Sequence, residues 1–174
     1  MKTIATIVGA RPQFIKVAPV SRALASTGRV REVLIHTGQH FDADMSDSFF
    51  EELGISPPDY RLDIHGGGHG AMTGAMLQKL EPLLETLKPD RVLIYGDTNS
   101  TLAGALVAAK LHIPVAHVEA GLRSFNRAMP EEINRIATDH VSDLLLAPTP
   151  TAMRNLEDEN DWGVGKIEQF TQRS

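Results

Sequence analysis

The chain alternates short, continuous apolar runs with longer stretches in which apolar residues return every three or four positions. Five runs read as strands: Thr3 to Val8, Glu32 to His36, Val92 to Tyr95, Val115 to Val118 and Asp143 to Ala147. Their apolar positions are mostly consecutive, which predicts strands covered on both faces, as in a parallel sheet. Helices are predicted from Arg11 to about Leu24, through about Leu53 with Asp44 and Ser46 preceding it, from about Met72 to Leu87 and from Leu102 to Ala109, then from Pro130 to about Val141 and from Thr149 to about Leu156. Ile15, Pro19, Val20 and Leu24 share one face of the first helix. Met76, Leu77, Leu80, Leu83, Leu84 and Leu87 do so in the third, and Ile133, Ile136, Ala137 and Val141 in the fifth. Strand and helix alternate throughout, so the expected class is α/β with a doubly wound sheet.

Breakers punctuate this pattern. Pro57-Pro58 interrupts the chain, Pro82 predicts a kink, and Gly66-Gly67-Gly68-His69-Gly70 reads as a loop of unusual freedom with no lysine behind it to make a phosphate cradle. Beyond Leu156 the chain is charged and loses its period, so an ordered unit over 1–156 and a mobile or rearranged tail over 157–174 are expected. At 174 residues, 42% hydrophobic and 22% charged, the sequence is of one-domain globular type. A net charge of −5 without a basic stripe argues against nucleic acid, and no run has membrane-spanning length. The absence of cysteine removes thiolate chemistry and suits a cytoplasmic setting.

Candidate chemistry gathers where strands hand over to helices. Tyr95-Gly96-Asp97-Thr98-Asn99-Ser100-Thr101 places Asp97 at a strand's carboxyl end. His117-Val118-Glu119-Ala120-Gly121-Leu122-Arg123-Ser124 places Glu119 at the next, and Pro130-Glu131-Glu132-Ile133-Asn134-Arg135 opens a helix with Glu131 and Arg135 one turn apart. Open parallel sheets bind ligands outside the carboxyl ends of their strands, so these groups read as an active site. The same residues also suit an N-cap, an exposed ion pair and a solvated turn, and spacing alone leaves both readings open. Gly9 permits close approach to the first strand's exit, and Arg11 and Lys16 follow as candidate phosphate ligands. Gln39 and His40 lie after the second strand. The pairs His36/His40 and His65/His69 have four-residue spacing but fall outside helices, so no metal site is expected. Neither G-x-G-x-x-G nor G-x-S-x-G occurs.

Taken together, Gly9-Ala10-Arg11-Pro12-Gln13-Phe14-Ile15-Lys16, Thr37-Gly38-Gln39-His40 and the three blocks around Asp97, Glu119 and Glu131 resemble the non-hydrolysing UDP-N-acetylglucosamine 2-epimerases, in order, across about residues 1–156. The resemblance implies a Rossmann-like domain forming one half of a B-type glycosyltransferase-like fold. It also implies interconversion of UDP-N-acetylglucosamine and UDP-N-acetylmannosamine by elimination and readdition of UDP. It assigns Asp97, Glu119, Glu131 and Arg135 to catalysis, and Arg11, Lys16, Gln39, His40 and Arg123 to the substrate. It implies no redox cofactor and no metal, a UDP-sugar as partner, a homodimer in the full-length form, and a cytoplasmic role in cell-surface polysaccharide synthesis.

Two departures qualify what is implied. Members of this kind are about twice as long, the second domain carrying the uridine site and a catalytic histidine, so the chain reads as an N-terminal half. His40-Phe41-Asp42 departs from the pattern near an activating second site, which leaves room for a relative acting on a UDP-2,3-diacetamido sugar uronate. A hydrolysing 2-epimerase and an inactive ligand- or partner-binding domain are the other readings.

Overall fold

A computed structural model describes residues 1–39, 47–159 and 166–169. In chain order the elements are β1 (Lys2–Val8), α1 (Arg11–Ser26), β2 (Val30–His36), α2 (Asp47–Leu53), β3 (Tyr60–Arg61), α3 (His69–Leu87), β4 (Arg91–Tyr95), α4 (Asn99–Lys110), β5 (Val115–Val118), α5 (Pro130–Val141), β6 (Leu144–Ala147), α6 (Pro150–Glu159) and β7 (Lys166–Gln169). The strands form one parallel sheet in the order β3-β2-β1-β4-β5-β6-β7. Both faces of the central strands are covered, as their continuous apolar runs require. On one face Ile7, Ile35 and Ile94 meet Met76, Leu80 and Leu84 of α3 and the small residues Ala103, Ala105 and Ala108 of α4. On the other, Leu34, Leu93 and Tyr95 meet Phe14 and Val17 of α1 and Phe49 and Phe50 of α2. Ala152 and Leu156 of α6 close over Leu145 and Ala147.

β1 and β4 are neighbours, yet the chain winds from β1 outward to β3 before returning to β4. The strand order therefore reverses between them, and such a switch point leaves a crevice outside the two carboxyl ends. Loops β1–α1 and β4–α4 flank it. Gln13 joins them: its side-chain oxygen accepts from the Gly9 and Ala10 amides at 2.7 and 3.1 Å, and its amide donates to the Tyr95 carbonyl at 2.7 Å. Gly9 is needed for a reason other than ligand access. A Cβ there would stand 2.0 Å from the Ser100 hydroxyl and 2.6 Å from that of Thr37, so the close approach is made by the protein itself.

Several boundaries and faces differ from the sequence expectation. β3 has two residues, both exposed, too few to leave an apolar run. β6 is not the last strand: β7 pairs with it from Leu144↔Lys166 to Ala147↔Gln169, inside the segment that the sequence sets apart as a tail. α3 starts at His69, within the glycine loop, and continues through Pro82. In α1 the inward residues are Gln13, Phe14, Val17, Ala18 and Ser21, whereas Ile15 is 56% exposed. The helix turns to bury the Gln13 amide that its loops require, and Ile15 goes outward. His40 and residues 44–46, ahead of α2, lie outside the described residues.

His36 closes β2 as a buried ring 5.2 Å from that of Phe14, with Nε2 unpartnered among the described residues. Burial first, and the Arg61 charge second, lower its pKa to about 4. Lowered in the folded state, this group supports the fold above the unfolded value near 6.5 and withdraws that support as pH falls toward 4. The loss is roughly 3 kcal/mol across that window. Urea midpoints between pH 7 and pH 4 should fall more steeply for the wild type than for His36→Gln.

Candidate active site

A cavity of about 430 Å³ opens at the switch point, lined by Arg11, Gln13, Lys16, Gly96, Asp97 and Thr98 among others. Thr98 caps α4 in a reciprocal box with Thr101, each hydroxyl accepting from the other's backbone amide at 3.3 and 3.2 Å. That cap ends the turn on which Asp97 projects. Arg135 Nη2 lies 2.6 Å from Asp97 Oδ2, and Asn134 donates to the Asp97 carbonyl at 2.9 Å, so α5 holds both backbone and side chain of residue 97.

Glu119 leaves β5 one strand over. Its carboxylate stands 2.7 Å from Lys16 Nζ, and the same oxygen would be 3.3 Å from a Cβ placed on Gly96. Asp97 and Glu119 are thus brought to adjoining turns, each with its own cation. Glu119 has φ +73°, a left-handed conformation that is uncommon for a residue with a side chain. Such backbone strain gathers at functional sites, where the surrounding structure enforces it.

Glu131 occupies the first turn of α5, half-buried, and its carboxylate makes no hydrogen bond or ion pair among the described residues. The Glu131–Arg135 ion pair that the spacing left open does not form. Arg135 instead bridges Asp97 and Glu132, its Nη1 donating to Glu132 at 2.8 Å. Glu132, which the sequence reading does not single out, is 1% exposed and also accepts from the Ser124 and Phe125 amides at 3.0 and 2.8 Å. Burial disfavours its ionised form, but the Ser124 amide, Arg135 and the Phe125 amide outweigh burial and bring its pKa down to about 2.

The inward face of α5 is therefore polar: Glu132, Asn134, Thr138 and Asp139 are buried, while Ile133 is 39% exposed. This corrects the apolar face expected from Ile133, Ile136, Ala137 and Val141. The helix packs against loops that present amides and cations, and hydrogen bonding of those groups decides its rotation.

Of the remaining candidates, Arg11 lines the cavity with its guanidinium 4.7 Å from the centre of the Phe49 ring. Gln39 turns its side-chain oxygen to the start of α4, where it accepts from the Ser100 amide at 3.0 Å and hydroxyl at 2.7 Å. Arg123 is the clearest departure. Its side chain is 1% exposed and donates to Asp139 at 2.8 Å and to both oxygens of Glu159 at 2.9 and 2.6 Å, so it braces the loop from inside and does not face the cavity. His40 lies outside the described residues. The described residues hold no cluster of His, Cys, Asp and Glu fit for a metal ion. None of the described helices is long and apolar enough to cross a membrane.

A doubly wound α/β domain with acids and cations around its switch point is of the Rossmann-like class. Comparison with known proteins narrows the class. The profile of the UDP-N-acetylglucosamine 2-epimerase family matches residues 22–165, and the chain belongs to that family. It is 64% identical over 156 residues to the UDP-2,3-diacetamido-2,3-dideoxy-D-glucuronate 2-epimerase of Pseudomonas aeruginosa, a match covering 90% of this chain and 44% of that one. It is 54% identical over 153 residues to the UDP-N-acetylglucosamine 2-epimerase of Methanocaldococcus jannaschii, covering 88% and 42%. A crystal structure of the UDP-GlcNAc 2-epimerase of Methanocaldococcus jannaschii, in complex with UDP-GlcNAc and UDP, superposes with a TM-score of 0.89 at 51% identity, over 96% of this chain and 46% of that one. The chain thus spans less than half the length of the curated relatives it matches.

Proposed function

We propose that this chain is the acid-bearing N-terminal half of a non-hydrolysing nucleotide-sugar 2-epimerase whose substrate is a UDP-sugar. The observation that carries the reading is the pairing of Asp97 with Arg135 and of Glu119 with Lys16 on adjoining turns beside a cavity lined by Arg11. In the reaction, a carboxylate removes the proton from C2 while the C1–O bond to UDP breaks, leaving a 2-acetamidoglucal. UDP oxygen then re-forms the bond to C1 as a proton returns to the opposite face of C2. Asp97, Glu119 and Glu131 are the acid/base candidates, Arg135 orients Asp97, and Arg11 and Lys16 offer charge to the departing diphosphate.

UDP-N-acetylglucosamine is the first substrate reading. The 64% identity to an enzyme for a diacetamido glucuronate supports a second, in which the sugar carries a 3-acetamido group and a C6 carboxylate. Residues beyond the present chain would supply the uridine site and close the cleft, and the full-length form would act as a cytoplasmic homodimer in cell-surface polysaccharide synthesis. The decisive assay offers both UDP-sugars in heavy water to a full-length form and follows deuterium at C2. Incorporation into one sugar alone assigns the substrate, and incorporation into neither overturns the epimerase reading. Release of the free sugar points to the hydrolysing relative.

A further inference from the structure

Away from the cavity, the second buried carboxylate of α5 joins the two loops that carry Asp97 and Glu119. Asp139 is 1% exposed. Its Oδ2 accepts from the Gly121 amide at 3.0 Å and from Arg123 at 2.8 Å, and its Oδ1 lies 2.6 Å from Nδ1 of His117. His117 sits fully buried in β5, and its other ring nitrogen is 2.7 Å from the Gly96 carbonyl. A carbonyl can only accept, so Nε2 carries a proton. Asp139 is itself an acceptor. Burial opposes its ionisation, but the His117 hydrogen bond and charge, the Arg123 charge and the Gly121 amide together hold its carboxyl below the ordinary range. The ring thus bridges Asp139 and the Gly96 carbonyl, and Arg123 is balanced by Asp139 and Glu159.

The ends of this chain of contacts are specific. Gly96 immediately precedes Asp97 and has φ +68°, while Gly121 follows Glu119 by two residues and has φ +77°. Both are turns that lack a side chain of their own to hold them. An apolar residue at 117 would continue the apolar run of β5, so packing alone does not call for a histidine there. We propose that Asp139, acting through His117, is a positioning residue that fixes the Asp97 turn relative to the Glu119 turn. The proposal rests on the reading of these two carboxylates as reacting groups.

The test begins with the isotopically labelled 174-residue chain in solution. Nuclear magnetic resonance should detect a coupling through the hydrogen bond from His117 Nε2 to the Gly96 carbonyl carbon, and its absence overturns the proposal. In Asp139→Asn and His117→Phe, the amides of Gly96, Asp97, Glu119 and Gly121 should shift and exchange with solvent at least about tenfold faster, while Val33 and Ile35 stay as they were. In a full-length form both variants should lower kcat for C2 exchange by about 10–100-fold with little change in KM, as displaced catalytic groups do. If Asp139→Asn fails to fold, His117→Phe carries the test, since it leaves Asp139 with Arg123 and Gly121. Wild-type amides at these four residues and wild-type kcat in His117→Phe overturn the proposal. A full-length wild type that never exchanges the C2 proton overturns the epimerase reading instead, and the coupling and amide signals still decide whether the clamp exists.

Discussion

The 174-residue chain alone is expected to leave the C2 proton of UDP-N-acetylglucosamine unexchanged in heavy water, whereas a full-length form exchanges it. In the proposed reading Arg11 and Lys16 of the cavity would face a diphosphate, and the chain spans 42–44% of its curated relatives. Positioning of reactants contributes ~7–11 kcal/mol toward a barrier, so carboxylates without the groups that hold uridine lose many orders of magnitude in rate. Within the full-length form, Asp97→Asn, Glu119→Gln and Glu131→Gln should each lower kcat by about 10²–10⁴ and change KM little, the range for loss of general acid or base action. Robust exchange by the short chain would refute the half-enzyme reading, and unchanged kcat in all three variants would refute the assignment of the acids.

Removal of the Glu132 carboxylate should be strongly destabilising. Glu132→Ala leaves Arg135 without one of its two acids and strands the amides of Ser124 and Phe125, in a place where the carboxylate is 1% exposed. Breaking a buried, hydrogen-bonded charge pair on one side costs about 3–5 kcal/mol. The urea midpoint should fall accordingly. Glu132→Gln, which keeps an acceptor oxygen, should lose less. Because the wild-type carboxyl titrates near 2 when folded and near 4.5 when unfolded, its contribution is present above 4.5 and fades as pH drops toward 2. The stability gap between wild type and Glu132→Gln should therefore narrow in that interval, and a gap constant with pH would contradict the role.

The order of strands and helices was legible because parallel strands buried on both faces leave continuous apolar runs, and Val92 to Tyr95 is one. β3 and β7 were not, because their exposed or edge positions impose no such run and only backbone pairing defines them. The candidate site was legible to the extent that it follows from strand ends. Asp97 and Glu119 follow neighbouring strands by topology, and Arg11 and Lys16 lie in the first turns of the helix after β1. The rotation of α5 was hidden. Periodicity assigns apolar residues inward, whereas this helix faces amides, a histidine and Arg123, whose positions depend on the folded loops. Glu132 and Asp139 stand seven residues apart on one helical face, and that spacing of acids was the available signal. The same dependence on tertiary partners turned Arg123 inward.

The left-handed backbone at Glu119 sets two demands on residue 119 against each other. Glycine would adopt φ +73° without steric penalty, so the chain with Glu119→Gly should gain up to about 1 kcal/mol at the backbone, less whatever the Lys16 pair supplies. A laboratory selection that rewarded thermal endurance alone would drift toward glycine or asparagine at this position, and one that rewarded turnover would hold the glutamate. Under the proposed role of Glu119, the residue would mark where heritable gains in robustness and in catalysis part company within a single codon.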